Sequence, residues 1–214
     1  EPTENARGKM QGTNEAHLAY SYNGQNWYRA FREPFIPRTE AGTAFGGQVY
    51  TGAPVRSPDN RLLFNVMGYA VEHGVDDEDV PEEWNTPKTY QYEMRLDGFV
   101  YLRTRARYGL IQTKTVIPQG GELSINARTT PSGYVKVAVL DEETFKPLPN
   151  YTLEDAVPIT GDELFGKVRW RNRENLDELK NRPVILEVHV REGELYALRF
   201  SYRVALVEQP HERV

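Results

Sequence analysis

Hydrophobic and polar residues alternate along most of this 214-residue chain, in short runs separated by glycine and proline. Side chains at every second position share one face of a β-strand, so this period indicates strands rather than helices. The clearest case is the series Val135, Val137 and Val139. The pattern predicts strands at His17–Tyr22, Trp27–Phe31, Gln48–Val55, Arg61–Tyr69, Tyr90–Leu96, Phe99–Arg105, Leu110–Ile117, Glu122–Ala127, Tyr134–Leu140, Lys167–Trp170, Val184–Val190 and Leu195–Val204.

One segment, Arg173–Asn181, is predicted to form a short helix. Asn172 is a suitable N-cap, Glu174 falls in the first turn and Lys180 in the last, and Pro183 follows the end. We therefore expect an all-β protein with one short helix.

Composition supports β-structure and narrows the classes of function. The chain has 13 tyrosines and 8 phenylalanines but only 3 methionines, and aromatic residues favour strands. A net charge of −5, with both signs spread along the chain, argues against nucleic acid as the main partner. The absence of cysteine excludes disulfides, thiolate zinc sites and a cysteine nucleophile. No apolar run is long enough to span a membrane and no signal peptide is recognisable, so we expect no membrane partner.

A hairpin pattern occurs twice in the first half of the chain. The stretch SYNGQNWYR, with its turn at Asn23-Gly24, aligns with RLDGFVYLR, whose turn is Asp97-Gly98 and lies 74 residues later. A propeller blade takes roughly 40–45 residues, so the spacing equals one blade plus an insertion. The acidic segment Val75–Pro87 supplies that insertion. The arrangement predicts an outer hairpin (17–31), an inner strand pair (48–55 and 61–69) and a second outer hairpin (90–105).

This arrangement amounts to about one and a half blades of a β-propeller, within residues 1–106. Residues 107–214 contain no such repeat, and their alternating strands predict an antiparallel β-sandwich. A propeller closes with roughly four blades or more. We therefore expect the remaining blades to come from a longer parent protein or from another subunit, an expectation that fits the lack of an initiator methionine before Glu1.

The chain resembles a family of bacterial secreted proteins with a five-bladed, glycoside-hydrolase-like propeller. HLAYSYNGQNW, RLLFNVMGYAVEHG and LDGFVYLRTRARYGLIQTKTV are similar to the last part of that propeller. GGELSINARTTPSGYVKVAVLDEE, PITGDELFGKVRW and LKNRPVILEVHVREGELYALRF are similar to its C-terminal sandwich. Related layouts occur in fructan- and arabinan-cleaving families.

The resemblance implies a carbohydrate partner, a secreted or periplasmic location and no cofactor. It also implies that the catalytic carboxylates come from several blades, mostly earlier ones. No position here matches a catalytic motif, so no catalytic residue is assigned.

Blade topology predicts which connections face a ligand. If the strand Gln48–Val55 runs away from the ligand face, the connections Arg32–Gly47 and Ala70–Thr89 lie together on that face. The candidate binding residues in these two connections are Glu40, Phe45, Glu72, His73 and Trp84. Carboxylates and histidine can hydrogen-bond sugar hydroxyls, and aromatic rings can stack on a sugar's apolar face. The alternatives are a solvated loop pair or a local cap for Glu72-His73, and for Trp84 a plug that anchors the loop to the sandwich.

Three further groups of residues favour structural interpretations. The run Asp76–Asp79 has carboxylates that suit calcium, but it lacks the spacing of a calcium loop, so an exposed acidic loop is the preferred interpretation. Arg103, Arg105 and Arg107 share a face and could bind an anionic polymer, although cross-strand pairing with acidic residues is preferred. The four histidines are scattered, so no metal site is predicted.

Three hypotheses about function remain open. The first is the C-terminal part of a glycoside-hydrolase-like protein that is not catalytic alone. The second is a self-sufficient carbohydrate-binding module, whose affinity should fall on Trp84→Ala or Trp27→Ala. The third is a structural or assembly module whose open blade edge is covered by another subunit.

Overall fold

The computed structural model describes residues 3–4, 10–21, 24–75, 80–104 and 108–204. The chain divides into two compact units between Leu96 and Asp97, whereas the sequence placed the boundary after residue 106. In the described residues, the regular structure is β apart from one four-residue α-helix and one 3₁₀ turn. The prediction of an all-β fold is therefore confirmed, and the described chain has one short helix at a place other than the predicted one.

The first unit is built around a small antiparallel sheet. Its described elements are β1 (Thr3–Glu4), β2 (Met10–Gln11), β3 (Tyr20–Ser21), β4 (Trp27–Tyr28), β5 (Gln48–Thr51), β6 (Val55–Arg56), β7 (Arg61–Tyr69), α1 (Glu82–Asn85) and β8 (Lys88–Arg95). The nine-residue strand β7 is central: β5 and β6 pair with one of its edges, and β8 pairs with the other. β1 pairs with β2 and β3 with β4 in separate two-stranded ladders.

The alternation along β7 explains the core of the first unit. Phe64 and Val66 point to the same face because they are two residues apart, and both are buried. They pack with Val49 from β5 and with Ile36 and Phe45 from the preceding connection. This connection therefore covers one face of the sheet.

The two predicted outer hairpins have different outcomes. The first is present as a two-residue ladder, in which Tyr20 pairs with Tyr28 and Ser21 with Trp27, while residues 22–23 of its predicted turn lie outside the described residues. The second, at 90–105, is wrong: β8 pairs with β7, whereas the described residues after the turn pair in the second unit.

The reason lies in the turn itself. The carboxylate of Asp97 accepts hydrogen bonds from the amide of Asn126 and the guanidinium of Arg199. The Asp-Gly turn thus carries the chain from one unit to the next and does not close a hairpin.

The second unit is a seven-stranded antiparallel sheet. Its described strands are β9 (Leu102–Arg103), β10 (Gly109–Gln112), β11 (Val116–Pro118), β12 (Ser124–Asp141), β13 (Asp162–Lys167), β14 (Val184–Arg199) and β15 (Tyr202–Val204). The order is β13-β12-β14-β11-β15, and β9 and β10 also pair with β14. β12 and β14 pair along almost their whole length.

A bulge divides the β12–β14 pair into two halves. The register shifts between Thr129 and Tyr134, which lie opposite Gly193 and Arg191. The carboxylate of Glu192 accepts hydrogen bonds from hydroxyls of the bulged residues. Bulges bend strands, and valines and leucines from both halves contribute to one core, as two layers of a sandwich do.

The predicted helix at Arg173–Asn181 is wrong. This segment contains only a 3₁₀ turn, Asp177–Leu179. Leu176 and Leu179 are buried in the core of the unit, and the backbone of Arg173 pairs with that of Trp170. Core packing and this backbone pair replace the helical hydrogen bonds that the capping pattern suggested. The single α-helix of the described chain is α1, within the segment that the sequence suggested as an insertion.

Candidate functional site

A groove on the first unit contains two of the predicted binding residues. Its volume is about 410 Å³, within the range typical of ligand sites. The residues that line it come from the connection before β5 and from β8: Thr39, Glu40, Thr43, Ala44, Phe45, Tyr90 and Tyr92. We call this the tyrosine groove.

Phe45 forms the floor of the tyrosine groove and is only 5% exposed. Its ring lies over Gly68 of β7, where a Cβ atom would overlap the ring. The Tyr90 ring meets Phe45 edge-on at a centroid distance of 5.3 Å, and the Tyr92 ring is tilted by 31° at 6.3 Å. Three aromatic rings therefore line one continuous surface.

Tyr90 and Tyr92 are the exposed part of this surface. They lie opposite Val66 and Phe64 in the sheet, so all four side chains share a face. Yet Tyr90 is 50% and Tyr92 42% exposed, whereas their partners are buried. In the described part of the chain no strand lies beyond β8 in this sheet, so the two rings stand at its edge, open to solvent.

The rim of the tyrosine groove is a hydrogen-bonded loop. The hydroxyls of Thr39 and Thr43 lie 2.5 Å apart, and Thr43 also donates to the carbonyl of Glu40. The backbone N–H of Gly46 donates to the carbonyl of Thr43. These bonds fix a polar wall of hydroxyls, with the exposed Glu40 beside it.

A second, smaller groove adjoins the first. Its volume is about 240 Å³, and it is lined by Gly42, Ala44, Ala70, Glu83, Trp84, Thr86, Lys88 and Tyr90. We call this the tryptophan groove. Ala44 and Tyr90 line both grooves, so the two grooves are neighbours.

Trp84 packs against the loop that contains Gly42 and is 39% exposed. It lies on α1, and its indole covers Gly42, where a Cβ atom would be 3.1 Å from Cζ2 of the indole. Gly42 also has a positive φ of 80°, which glycine adopts without strain. Trp84 thus packs on the Gly42 loop of its own unit and keeps an exposed surface available to a ligand, and its predicted role as an anchor to the sandwich stays a prediction.

Glu72 and His73 are not among the residues that line either groove. Both are exposed, and His73 exchanges backbone hydrogen bonds with Gly12 at 2.8 and 3.2 Å. Of the five candidate binding residues, Glu40, Phe45 and Trp84 are therefore brought together, whereas Glu72-His73 lies at the backbone bridge to Gly12. A role for this pair in binding stays a prediction.

The other candidate groups have structural partners or lie outside the described residues. Arg103 pairs with Glu194, which faces it across β9 and β14, with Nε at 2.9 Å from Oε1. The cross-strand interpretation is confirmed for this arginine, and Arg105, Arg107 and the run at 76–79 lie outside the described residues. The described residues contain no cluster of three or more acidic or histidine side chains that could hold a metal ion.

Glu194 illustrates how these pairs affect ionisation. The Tyr196 hydroxyl donates a hydrogen bond to it at 2.5 Å, and this bond, together with Arg103, lowers the pKa of Glu194. The carboxylate is thereby stabilised in its charged form as the partner of Arg103.

Comparison with family models, with curated proteins and with solved structures gave no match for this chain. The resemblance to a glycoside-hydrolase-like propeller therefore stays a prediction. Among the described residues, no helix is long and apolar enough to cross a membrane.

Tyr90 and Tyr92 were not among the binding residues predicted from the sequence. They lie on a strand and not in the connections that the topology argument selected. A signal was available, because two tyrosines at alternate positions of YQYEMRL share one face of a predicted strand. What the sequence did not reveal is that this strand is an edge, which leaves the rings exposed.

Proposed function

We propose that this chain is the carbohydrate-binding part of a carbohydrate-active, glycoside-hydrolase-like protein, and that it is not catalytic alone. The observation that carries the proposal is the row of exposed rings along the two grooves: Tyr92, Tyr90 and Trp84. The C–H faces of a sugar ring stack on aromatic faces. Exposed aromatic side chains that are held in place present such faces without a large loss of conformational entropy on binding.

The polar rim supports the same proposal. Thr39, Thr43 and Glu40, which carry hydroxyl and carboxylate groups, line the same groove as Phe45. A groove with an aromatic floor and a hydroxyl-lined wall matches the two sides of a sugar, which are apolar C–H faces and a polar edge of hydroxyls. A secreted or periplasmic location belongs to this proposal.

The second unit is proposed as an accessory element. It holds its own core, and the Nε1 atom of its buried Trp170 donates to the carbonyl of Val137 at 2.7 Å. In this proposal the second unit has a structural role and does not bind the carbohydrate.

Binding to polysaccharides tests the proposal directly. The full chain is titrated by calorimetry with soluble arabinan, inulin, xylan, mannan and β-glucan, and pulled down with cellulose. We expect wild-type protein to bind one or more of these polymers. An aromatic contact contributes about 0.5–1.5 kcal/mol beyond its buried area, so Tyr92→Ala should weaken binding about tenfold or more.

Two variants serve as matched controls. Tyr92→Phe keeps the ring and should keep most of the affinity. Trp27→Ala removes a ring that is 65% exposed but is not among the residues lining either groove, so binding should be unchanged. If none of the polymers binds wild-type protein, or if Trp27→Ala and Tyr92→Ala weaken binding equally, the proposal is wrong.

Catalysis is tested on the same polymers. We expect no release of reducing sugar by the isolated chain. Turnover at a rate typical of an intact glycosidase would contradict the statement that the chain is not catalytic alone.

A further inference from the structure

The two grooves adjoin each other, and this adjacency bears on the size of the ligand. Ala44 and Tyr90 line both the tyrosine groove and the tryptophan groove, so a ligand that extends past these two residues reaches both. Tyr90 and Tyr92 are two residues apart on β8, which places them about 7 Å apart along the strand. Trp84 then extends the row of rings beyond Tyr90.

The charges along this path bear on the chemistry of the ligand. Glu40 is the only side chain charged at neutral pH among the residues lining the tyrosine groove, and the tryptophan groove has Glu83 and Lys88, whose charges oppose each other. An anionic sugar would face a carboxylate in the first groove with no cation beside it there. The lining therefore disfavours an anionic ligand.

We infer that the two grooves form one binding track for a linear, uncharged polysaccharide, which contacts Tyr92, Tyr90 and Trp84 with successive parts of its chain. This inference rests on the proposed carbohydrate function. It adds that the ligand is an extended chain several sugars long, bound along its length, and not a mono- or disaccharide held at one point.

A series of oligosaccharides of increasing length tests the inference. Arabino-, fructo-, xylo- and cello-oligosaccharides of two to six units are titrated into the full chain by calorimetry. A short ligand is accommodated by the larger groove alone, over the Phe45 floor, whereas a long ligand reaches both. We expect the six-unit ligand of the preferred sugar to bind at least tenfold more tightly than its two- or three-unit homologue.

The variants separate the two ends of the track. Trp84→Ala should weaken the six-unit ligand about tenfold and leave the two- or three-unit ligand unchanged, whereas Tyr92→Ala should weaken both. Trp27→Ala serves as the control for loss of an exposed ring outside the track.

Each outcome decides between the proposals. Affinity that does not depend on ligand length, or a Trp84→Ala effect that is equal for short and long ligands or absent for both, overturns the single track. Tighter binding of an anionic polymer, polygalacturonate, than of every neutral polymer overturns the uncharged ligand. If no glycan of either kind binds wild-type protein, the carbohydrate function itself fails, and that result is distinguishable from the other two.

Discussion

The contact between Gly68 and Phe45 gives a prediction about the floor of the tyrosine groove. In Gly68→Ala, the new Cβ atom would overlap Cδ1 of the Phe45 ring and would lie 2.6 Å from Cε1 and 2.8 Å from the carbonyl oxygen of Ala44. Rotation of the ring relieves the first two contacts. The third involves the backbone, so the connection that carries Phe45 must also move.

The expected cost follows from these contacts. Overpacking a filled core costs about 1–3 kcal/mol, and expelling a buried phenylalanine side chain into water costs about 1.5–3 kcal/mol. The variant will adopt whichever of these two arrangements costs less free energy. Because the contact with the Ala44 carbonyl also forces the backbone to move, the cost should lie above the lower end of both ranges. We therefore expect Gly68→Ala to destabilise the first unit by about 2–3 kcal/mol and to weaken glycan binding, because the Phe45 floor is displaced.

Hydrogen exchange of the β7 amides along a urea series measures this cost for the first unit alone. Gly52→Ala is the matched control, because its Cβ atom would have only the carbonyl oxygen of Asn65 within 4 Å, at 3.8 Å. It should change stability by less than about 0.5 kcal/mol.

A double-mutant cycle identifies the cause. In a Phe45→Leu background the smaller side chain leaves room, so Gly68→Ala should cost about 1 kcal/mol less than in wild type. An unchanged cost in that background, or a Gly68→Ala variant as stable as wild type, would refute the packing argument.

Two predictions concern the second unit. Trp170→Phe removes the N–H group that donates to a main-chain carbonyl of β12 at 2.7 Å, and it leaves a small void. The free energy of unfolding in urea should therefore fall by about 2–3 kcal/mol. A loss below about 0.5 kcal/mol would contradict this account. The backbone N–H of Thr144 and the guanidinium of Arg182 lower the pKa of Asp141 from 3.8 to about 2. The stabilisation that the lowered pKa gives is present above pH 4 and is lost as the pH falls from about 4 to 2. In urea unfolding at pH 2–6, the stability of Asp141→Asn should therefore fall less steeply over this range than that of wild type. An equally steep fall in the variant would show that other groups cause it.

The part of the fold that sequence predicted best is the strand β7. β7 begins and ends at the predicted residues, Arg61 and Tyr69, because its apolar face is buried and its ends carry no competing signal. The β12 strand was predicted as two strands, because Pro131 and Gly133 within it are typical of loops. The structure shows that this stretch is a bulge stabilised by Glu192, a partner about 60 residues away in sequence that local patterns do not reveal.

The candidate site was predicted in part. Sequence topology selected the two connections that provide Glu40, Phe45 and Trp84, since strand direction alone decides which ends of strands lie together. It could not show that Tyr90 and Tyr92 remain exposed, because that depends on the absence of a neighbouring strand in the described sheet beyond β8. Exposure is a tertiary property, and it determines which aromatic residues pack in the core and which are available to a ligand.

The long pairing of β12 with β14 has a consequence for how the protein is made. The segments that pair, Ser124–Asp141 and Val184–Arg199, are separated by more than 40 residues, so the central ladder of the second unit forms only after the ribosome has released residue 199. The sheet of the first unit needs only residues 48–95. Because domains fold as units during synthesis, starting from the N-terminus, the first unit should be folded while the strands of the second are still emerging. A ribosome stalled between these points should therefore already display a formed tyrosine groove.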